Sequence, residues 1–149
     1  MTGTPFRFGV VVSRFNEEIT EALLTSCRRR LMEAGVPEAS IETVKVPGGC
    51  EIPWAAQQLA ATGRFDAVIC LGCILPGQTS QNEHIARSVF DQLQRVSVAT
   101  GVPCINEVLT PRTWKQAQAR TKGELDRGLE AADAALAMAA LRRELGSRR

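Results

Sequence analysis

Short apolar segments alternate with longer segments of helical periodicity along this chain, and that alternation restricts the fold more than any other feature. Four segments are short and apolar or β-branched, as buried and half-buried strands are: residues 8–12, 41–46, 66–71 and 102–109. A helical pattern follows each of them. This order predicts an α/β fold, a three-layer sandwich whose four-stranded parallel sheet carries helices on both faces, joined by right-handed crossovers.

The helical segments begin and end at recognisable residues. The first has apolar residues three and four positions apart over residues 19–31, Asn16 can cap its start, and Gly35 stops it. Thr110-Pro111 is expected to open a short helix near the end of the chain, and the apolar pattern of the last helix begins at Leu125.

Size and charge exclude several classes of protein. The 149 residues fit one domain, residues 1–149, and can bury a real core. The 18 basic and 16 acidic residues are interspersed, which leaves no basic stripe and predicts no nucleic-acid partner. No apolar run approaches the roughly 18 residues of a membrane span, and the first five residues form no leader, so we expect a cytoplasmic protein with no membrane partner.

The five cysteines are an odd number in apolar surroundings, which predicts reduced thiols. Cys70 and Cys73 have the spacing of a metal or redox pair. However, residues three apart on a strand point to opposite faces, so their sulfurs would not converge on one ion. The sequence therefore predicts packing roles and no metal site.

Two glycine-containing segments, residues 46–53 and 72–79, each lie between a predicted strand and a predicted helix. Glycines permit a close approach of the backbone, and the N–H groups of a helix start can face a polar or anionic ligand. The carboxyl ends of parallel strands are also where such sheets bind ligands. Both segments are therefore expected to contact a ligand.

With Arg14-Phe15-Asn16 after the first strand, these segments resemble the lumazine synthase family over residues 8–141. The resemblance implies the flavodoxin-like lumazine synthase fold and an enzyme of riboflavin biosynthesis. Its reaction would condense 5-amino-6-ribitylaminopyrimidinedione with 3,4-dihydroxybutanone 4-phosphate to 6,7-dimethyl-8-ribityllumazine, a transferase activity that needs no cofactor.

The resemblance also implies a substrate-binding set. Phe15 is similar to the aromatic residue that stacks on the heterocycle, and Glu51 to the glutamate that accepts hydrogen bonds from ribityl hydroxyls. Taken alone, Phe15 could be a core aromatic, and Glu51 an acidic residue favoured by a helix dipole. The full set is Phe15, Asn16, Gly49, Cys50, Glu51, Ile74, Leu75, Asn106 and Arg127.

The phosphate of the second substrate is expected at Gln78, Thr79 and Arg120. The first two belong to a loop similar to the phosphate loop of the family, and Arg120 stands where the family arginine completes that site. A guanidinium group suits a phosphate because its planar fork can donate two parallel hydrogen bonds. Arg127 stands where the family usually has lysine, although one residue closer to Arg120 than usual.

Two functional positions, Gln81 and Asn106, depart from the family pattern. Gln81 replaces the histidine associated with proton transfer, and glutamine does not titrate near neutral pH. His84, one turn later, is either a displaced base or an ordinary surface residue. Asn106 replaces an aromatic residue that closes over the ring from the neighbouring subunit, which predicts a more polar pocket.

The expected partners are small-molecule substrates and further copies of the chain. The resemblance implies a homo-oligomer, a pentamer or an assembly of pentamers, with active sites between subunits. The alanine-rich last helix suits such an interface, and equally suits close packing within one chain. Two other functions stay open: an inactive or weakly active relative that binds ligand or forms a shell, and a paralogous enzyme acting on a related diamine.

Overall fold

The computed structural model of the protein describes residues 4–77 and 81–148. Its strands are β1 (Phe8–Ser13), β2 (Ile41–Val46), β3 (Ala67–Cys73) and β4 (Cys104–Leu109), and its helices are α1 (Glu17–Glu33), α2 (Ile52–Ala61), α3 (Gln81–Thr100), α4 (Trp114–Ala119) and α5 (Arg127–Ser147).

The four strands form one parallel sheet in the order β2-β1-β3-β4. Every residue of β1 and β3 is buried, because both strands lie inside the sheet and have helices over both faces. The edge strands β2 and β4 are only partly buried. The predicted α/β fold is confirmed, including the continuous buried strand near residues 66–71.

Two hydrophobic cores lie on opposite faces of the sheet. On one face α1 and α5 pack together over β1 and β3, and on the other face α2 packs against α3. The four alanines Ala131, Ala132, Ala135 and Ala139 are fully buried on the first face. Close packing within the chain therefore uses one side of the alanine-rich helix.

Several predicted boundaries were wrong, each because local chemistry outweighed the pattern. The short helix α4 begins at Trp114 and not at Thr110-Pro111, since the Thr113 hydroxyl accepts the Gln116 N–H at 3.1 Å. Helix α5 begins after Asp126, whose carboxylate accepts the N–H groups of Gly128 and Leu129. Leu125 thus precedes the helix and is exposed. Strand β4 starts at Cys104, two residues later than predicted.

The connection from β1 leads to α1 on one face, whereas those from β2 and β3 lead to α2 and α3 on the other. A crevice is expected where neighbouring strands send their chains to opposite faces, beyond the carboxyl ends of β1 and β3.

None of the helices in the described ranges is long and apolar enough to cross a membrane.

Candidate active site

Hydrogen bonds join the segments that follow β1, β2 and β3. The Arg14 N–H donates to the Val46 carbonyl at 2.8 Å, and the Phe15 N–H donates to the Pro47 carbonyl at 3.0 Å. The Asn16 side-chain amide donates to the Cys73 carbonyl at 2.8 Å, which joins the end of β1 to the end of β3. The three strand ends are therefore fixed relative to one another.

Asn16 has a different role from the predicted helix cap. It stands at the position before α1 with a left-handed backbone, φ 60°, and its side chain makes no capping hydrogen bond to that helix. Asparagine tolerates this conformation better than most residues. The side-chain amide instead donates a hydrogen bond across the crevice to the Cys73 carbonyl. The predicted cap was therefore wrong, although Asn16 does stand directly before α1.

The segment after β2 turns tightly and brings its backbone to the crevice. Gly49–Glu51 is a single 3-10 turn, and one Glu51 carboxylate oxygen accepts the Gly48 N–H at 3.0 Å. A Cβ at Gly49 would lie 3.4 Å from the Ile74 side chain, so a side chain here would occupy the space between this segment and the one after β3. Glu51 itself is exposed at the start of α2. Its carboxylate both shapes the turn and faces solvent.

A cavity of about 270 Å³ lies between these segments. Six residues predicted for substrate binding line it, and we refer to them as the cavity group: Phe15, Gly49, Cys50, Glu51, Ile74 and Leu75. The Phe15 side chain is 68% exposed although it follows a fully buried strand. An exposed aromatic ring on a backbone that is fixed by the hydrogen bond from the Phe15 N–H to Pro47 is a surface on which a flat ring can stack. The alternative that Phe15 is a core aromatic is therefore wrong.

A second, more apolar cavity of about 500 Å³ adjoins the first and shares Ile74, Leu75 and Asn82 with it. Asn82 is a residue that sequence reasoning passed over. Its side-chain amide donates to the Leu75 carbonyl, which fastens the first turn of α3 to the segment after β3.

The two candidate catalytic residues lie on the first turn of α3. Gln81 and His84 are both exposed, and neither is among the described residues that line the two cavities. Two of the expected phosphate-binding residues, Gln78 and Thr79, lie outside the described residues.

Two of the remaining predicted residues, Arg120 and Arg127, meet at another corner, formed by α4 and the start of α5. Asn106 does not join them, because it lines a cavity on the α3 side of β4 with Phe90 and Asp91. The Arg127 N–H donates to the Arg120 carbonyl at 2.8 Å, and the Arg127 guanidinium pairs with Glu130 at 2.7 Å. We call Arg120, Arg127 and Glu130 the arginine corner. Asn106 is exposed on β4, and its side-chain oxygen accepts the Val108 N–H at 3.0 Å. Asn106, Arg120 and Arg127 are all absent from the described lining of the 270 Å³ cavity.

Two carboxyl groups meet beside this corner, and sequence reasoning missed both. Burial, followed by a hydrogen bond to Glu130 and repulsion from it, raises the pKa of Glu107 from an ordinary 4.5 to about 8. The same hydrogen bond, together with that from Arg127, lowers the pKa of Glu130. A charged glutamate in a mostly apolar edge strand was the available signal.

The thiols and carboxylates do not form a metal centre in the described ranges, where no three potential ligand side chains come together. Cys70 faces the α2/α3 core and Cys73 the α1/α5 core, as the strand argument predicted. Burial raises the pKa of Cys73 to about 11, which keeps this thiol protonated at neutral pH.

Comparison with known proteins identifies the family. The family model for 6,7-dimethyl-8-ribityllumazine synthase matches residues 5–143. Proteins named 6,7-dimethyl-8-ribityllumazine synthase from Paracidovorax citrulli, Coxiella burnetii (strain RSA 493 / Nine Mile phase I) and Thermosynechococcus vestitus are 42%, 41% and 44% identical to this chain. Each alignment covers 97% of the chain, and 92%, 97% and 83% of the respective relative. The chain that holds Phe15, Gly49 and Glu51 around one crevice therefore belongs to the 6,7-dimethyl-8-ribityllumazine synthase family.

Proposed function

We propose that the protein condenses 5-amino-6-ribitylaminopyrimidinedione with 3,4-dihydroxybutanone 4-phosphate to 6,7-dimethyl-8-ribityllumazine, a step of riboflavin biosynthesis. The observation that carries this proposal is the exposed Phe15 ring beside the glycine backbone of the 270 Å³ cavity, in a chain of this family. A ring platform beside backbone hydrogen-bonding groups suits a flat heterocycle with polar edges.

The cavity group would bind the pyrimidinedione and its ribityl chain. The ring would stack on Phe15, and backbone groups of Gly49 and Cys50 would face the polar ring edge. Glu51 has one oxygen on the Gly48 N–H, and its exposed carboxylate would accept hydrogen bonds from ribityl hydroxyls. Ile74 and Leu75 would supply apolar contacts that exclude water from one side of the ring.

The arginine corner would bind the phosphate of the second substrate, together with Gln78 and Thr79. Since this corner and Asn106 do not line the cavity of their own chain, we propose that a neighbouring copy supplies them and that each site lies between subunits. The proposed assembly is a homopentamer or a larger shell of pentamers in the cytoplasm. Exposed Met138, Leu141 and Leu145 on α5 offer an apolar surface for such contacts.

Catalysis in this arrangement would come mainly from holding the amine and the ketone together. Orientation of two reactants can lower a barrier by several kcal/mol without a titrating group, by about 7 to 11 in the best cases. This matters because Gln81 cannot supply a proton near neutral pH. The chain would then be an active enzyme whose proton transfers are assisted by another group or by water.

The second candidate is a relative that binds ligand or forms a shell without turnover, and Gln81 is the residue that favours it. A polar Asn106 at the ring-closing position would also suit a paralogous enzyme acting on a related diamine. One assay separates these functions: purified protein is incubated with the diamine and the ketone phosphate, and lumazine absorbance is followed above the uncatalysed rate. Absence of any excess over that rate, with diamine binding retained, would refute the lumazine condensation and leave the binding protein and the paralogous enzyme.

Replacement of Arg120 by alanine should weaken binding of the ketone phosphate by roughly 1.5 to 3 kcal/mol, the range for hydrogen bonds to charged groups. Arg120 is at the end of α4, where its guanidinium donates to the Gln116 carbonyl at 3.1 Å, and it is only partly exposed. Calorimetric titration measures the change. Arg64→Ala is a matched control, because Arg64 precedes β3 at the opposite end of the strands. Equal affinity in wild type and R120A would refute the phosphate role.

Replacement of Gln81 by histidine should raise the turnover rate by about 10-fold or more, because a fully positioned general acid-base group contributes about 10² to 10⁴ in rate. Affinity for the diamine should stay the same, because Gln81 is not among the described residues lining the cavity. The same kinetic assay tests His84→Ala. If His84 is the base, that variant loses most activity. Unchanged activity would instead identify His84 as a surface residue.

A further inference from the structure

Asn82 is the polar side chain in the wall between the two cavities of the candidate site. Among the described residues, three line both cavities and so form this wall: Ile74, Leu75 and Asn82. The other two side chains are apolar. A ligand that hydrogen-bonds to a side chain of the wall must therefore bond to Asn82, which has no role in the proposed function.

The orientation of the Asn82 amide is determined by its partner. Its NH2 group donates to the Leu75 carbonyl, and a carbonyl oxygen can only accept, so the amide cannot lie the other way round. No residue in the ranges 4–77 and 81–148 donates to the remaining Oδ1 oxygen. In those ranges every buried side-chain oxygen has a partner, so the Asn82 Oδ1 is accessible. It is a free acceptor beside the cavities.

This acceptor is held in place because the segment that orients it is fixed on both sides. The Cys73 carbonyl accepts the Asn16 amide at 2.8 Å, and the Ile74 N–H donates to the Leu109 carbonyl at 2.8 Å. The Leu75 carbonyl follows directly and in turn fixes the Asn82 amide. A group that is already oriented binds its partner at a lower cost in ordering.

We propose that Asn82 is a specificity-determining residue, which accepts a hydrogen bond from the primary amine of the diamine and so favours the substrate over the lumazine product. The inference rests on the proposed function, since it assumes that the diamine ring stacks on Phe15 in the 270 Å³ cavity. The amine has to face the second reactant. The wall at Asn82 is where the adjoining 500 Å³ cavity meets the ring cavity.

The diamine and the lumazine differ in hydrogen-bonding groups at the edge that reacts. The diamine has N–H groups on both of its amines. Condensation places both nitrogens in the new ring without hydrogen, and the one derived from the primary amine then carries a lone pair. A fixed oxygen acceptor therefore attracts this edge of the diamine and repels the same edge of the product. Asn82 would thus assist both substrate binding and product release.

The test is calorimetric binding of the diamine and of 6,7-dimethyl-8-ribityllumazine to wild type, Asn82→Leu and Asn82→Asp. Leucine is close to asparagine in size and shape, and it neither donates nor accepts. The ratio of diamine affinity to lumazine affinity should fall about fivefold or more in N82L, the effect of one ordinary hydrogen bond. Loss of the contact with Leu75 affects both ligands alike and cancels in this ratio.

The aspartate variant separates the acceptor from the contact with Leu75. Its carboxylate keeps an oxygen acceptor but cannot donate to the Leu75 carbonyl. We expect the ratio in N82D to equal or exceed that of wild type, because a charged acceptor binds an N–H more strongly. Gln92→Leu is the matched control and should keep the wild-type ratio. Gln92 is exposed on α3 and is not among the described residues lining either cavity.

The outcomes separate this inference from the proposed function. Equal loss of both affinities in N82L would overturn the inference and leave the lumazine condensation intact. A ratio that falls as far in N82D as in N82L would overturn it too, because the effect would then come from the contact with Leu75. If N82L does not fold, Asn82→Ala removes the same oxygen and its ratio decides. Failure of wild type to bind the diamine would overturn the proposed function, and the inference with it.

Discussion

Two inactive variants of this protein should regain activity when they assemble together. The first carries Phe15→Ala and Glu51→Ala in the cavity group, and the second carries Arg120→Ala and Arg127→Ala in the arginine corner. Each variant should retain below about 1% of wild-type lumazine formation, because each loses two contacts with the substrates, of roughly 1 to 3 kcal/mol apiece. After the two are unfolded and refolded together in equal amounts, about a quarter of the sites should combine two intact halves, since subunits mix at random around a ring.

The expectation depends on the separation seen in one chain, where none of the described residues lining the cavity comes from the arginine corner. The control mixes each variant with itself under the same conditions, and differently tagged chains verify that mixed oligomers form. A site contained in a single chain could never be restored by mixing. Verified mixed oligomers that stay below 1% activity would therefore refute a site between subunits.

Much of the fold could be predicted because its signals are local. The buried strand β3 is a continuous apolar run, and Gly35 ends α1 with φ 97°, a conformation that few other residues adopt. The opposite orientation of Cys70 and Cys73 follows from strand geometry alone. The cavity group was predictable for a similar reason, since its six residues occupy short motifs at strand ends.

The errors at the candidate site arose where a residue contacts a partner distant in sequence. Asparagine often caps helices, but the Asn16 side-chain amide donates its hydrogen bond to the Cys73 carbonyl, 57 residues away. Glu107 and Glu130 belong to different elements, so no motif spacing could connect them. Such contacts depend on how α5 is seated against α1 and β4. Tertiary packing, and not propensity, decides them.

Gly128 determines how α5 is seated. A Cβ at this position would lie 2.5 Å from the Leu23 carbonyl and 2.8 Å from the Ser26 Cβ, both closer than real Cβ contacts. The first distance involves the backbone of α1, which cannot rotate away as a side chain could. Asp126 also depends on this approach, because its carboxylate accepts the Ser26 hydroxyl at 2.7 Å while capping α5. Only glycine permits the helices to meet here.

Replacement of Gly128 by alanine should destabilise the protein by about 3 kcal/mol, at the upper end of what overpacking costs, because the obstructing atom is backbone. For a chain of this size that corresponds to a fall of roughly 6 to 12 °C in the unfolding midpoint. Ketone phosphate affinity should fall as well, since Arg127 and Glu130 move with the first turn of α5. Calorimetric unfolding and the binding titration measure the two effects.

Gly146→Ala is the matched control, because Gly146 lies in the same helix and a Cβ there meets no atom within 4 Å. Alanine in an open helical position should raise stability by about 0.5 to 1 kcal/mol, so the two substitutions are expected to have opposite signs. Equal, small effects of both would mean that α5 is not held against α1 at Gly128. The arginine corner would then have no fixed position relative to β4.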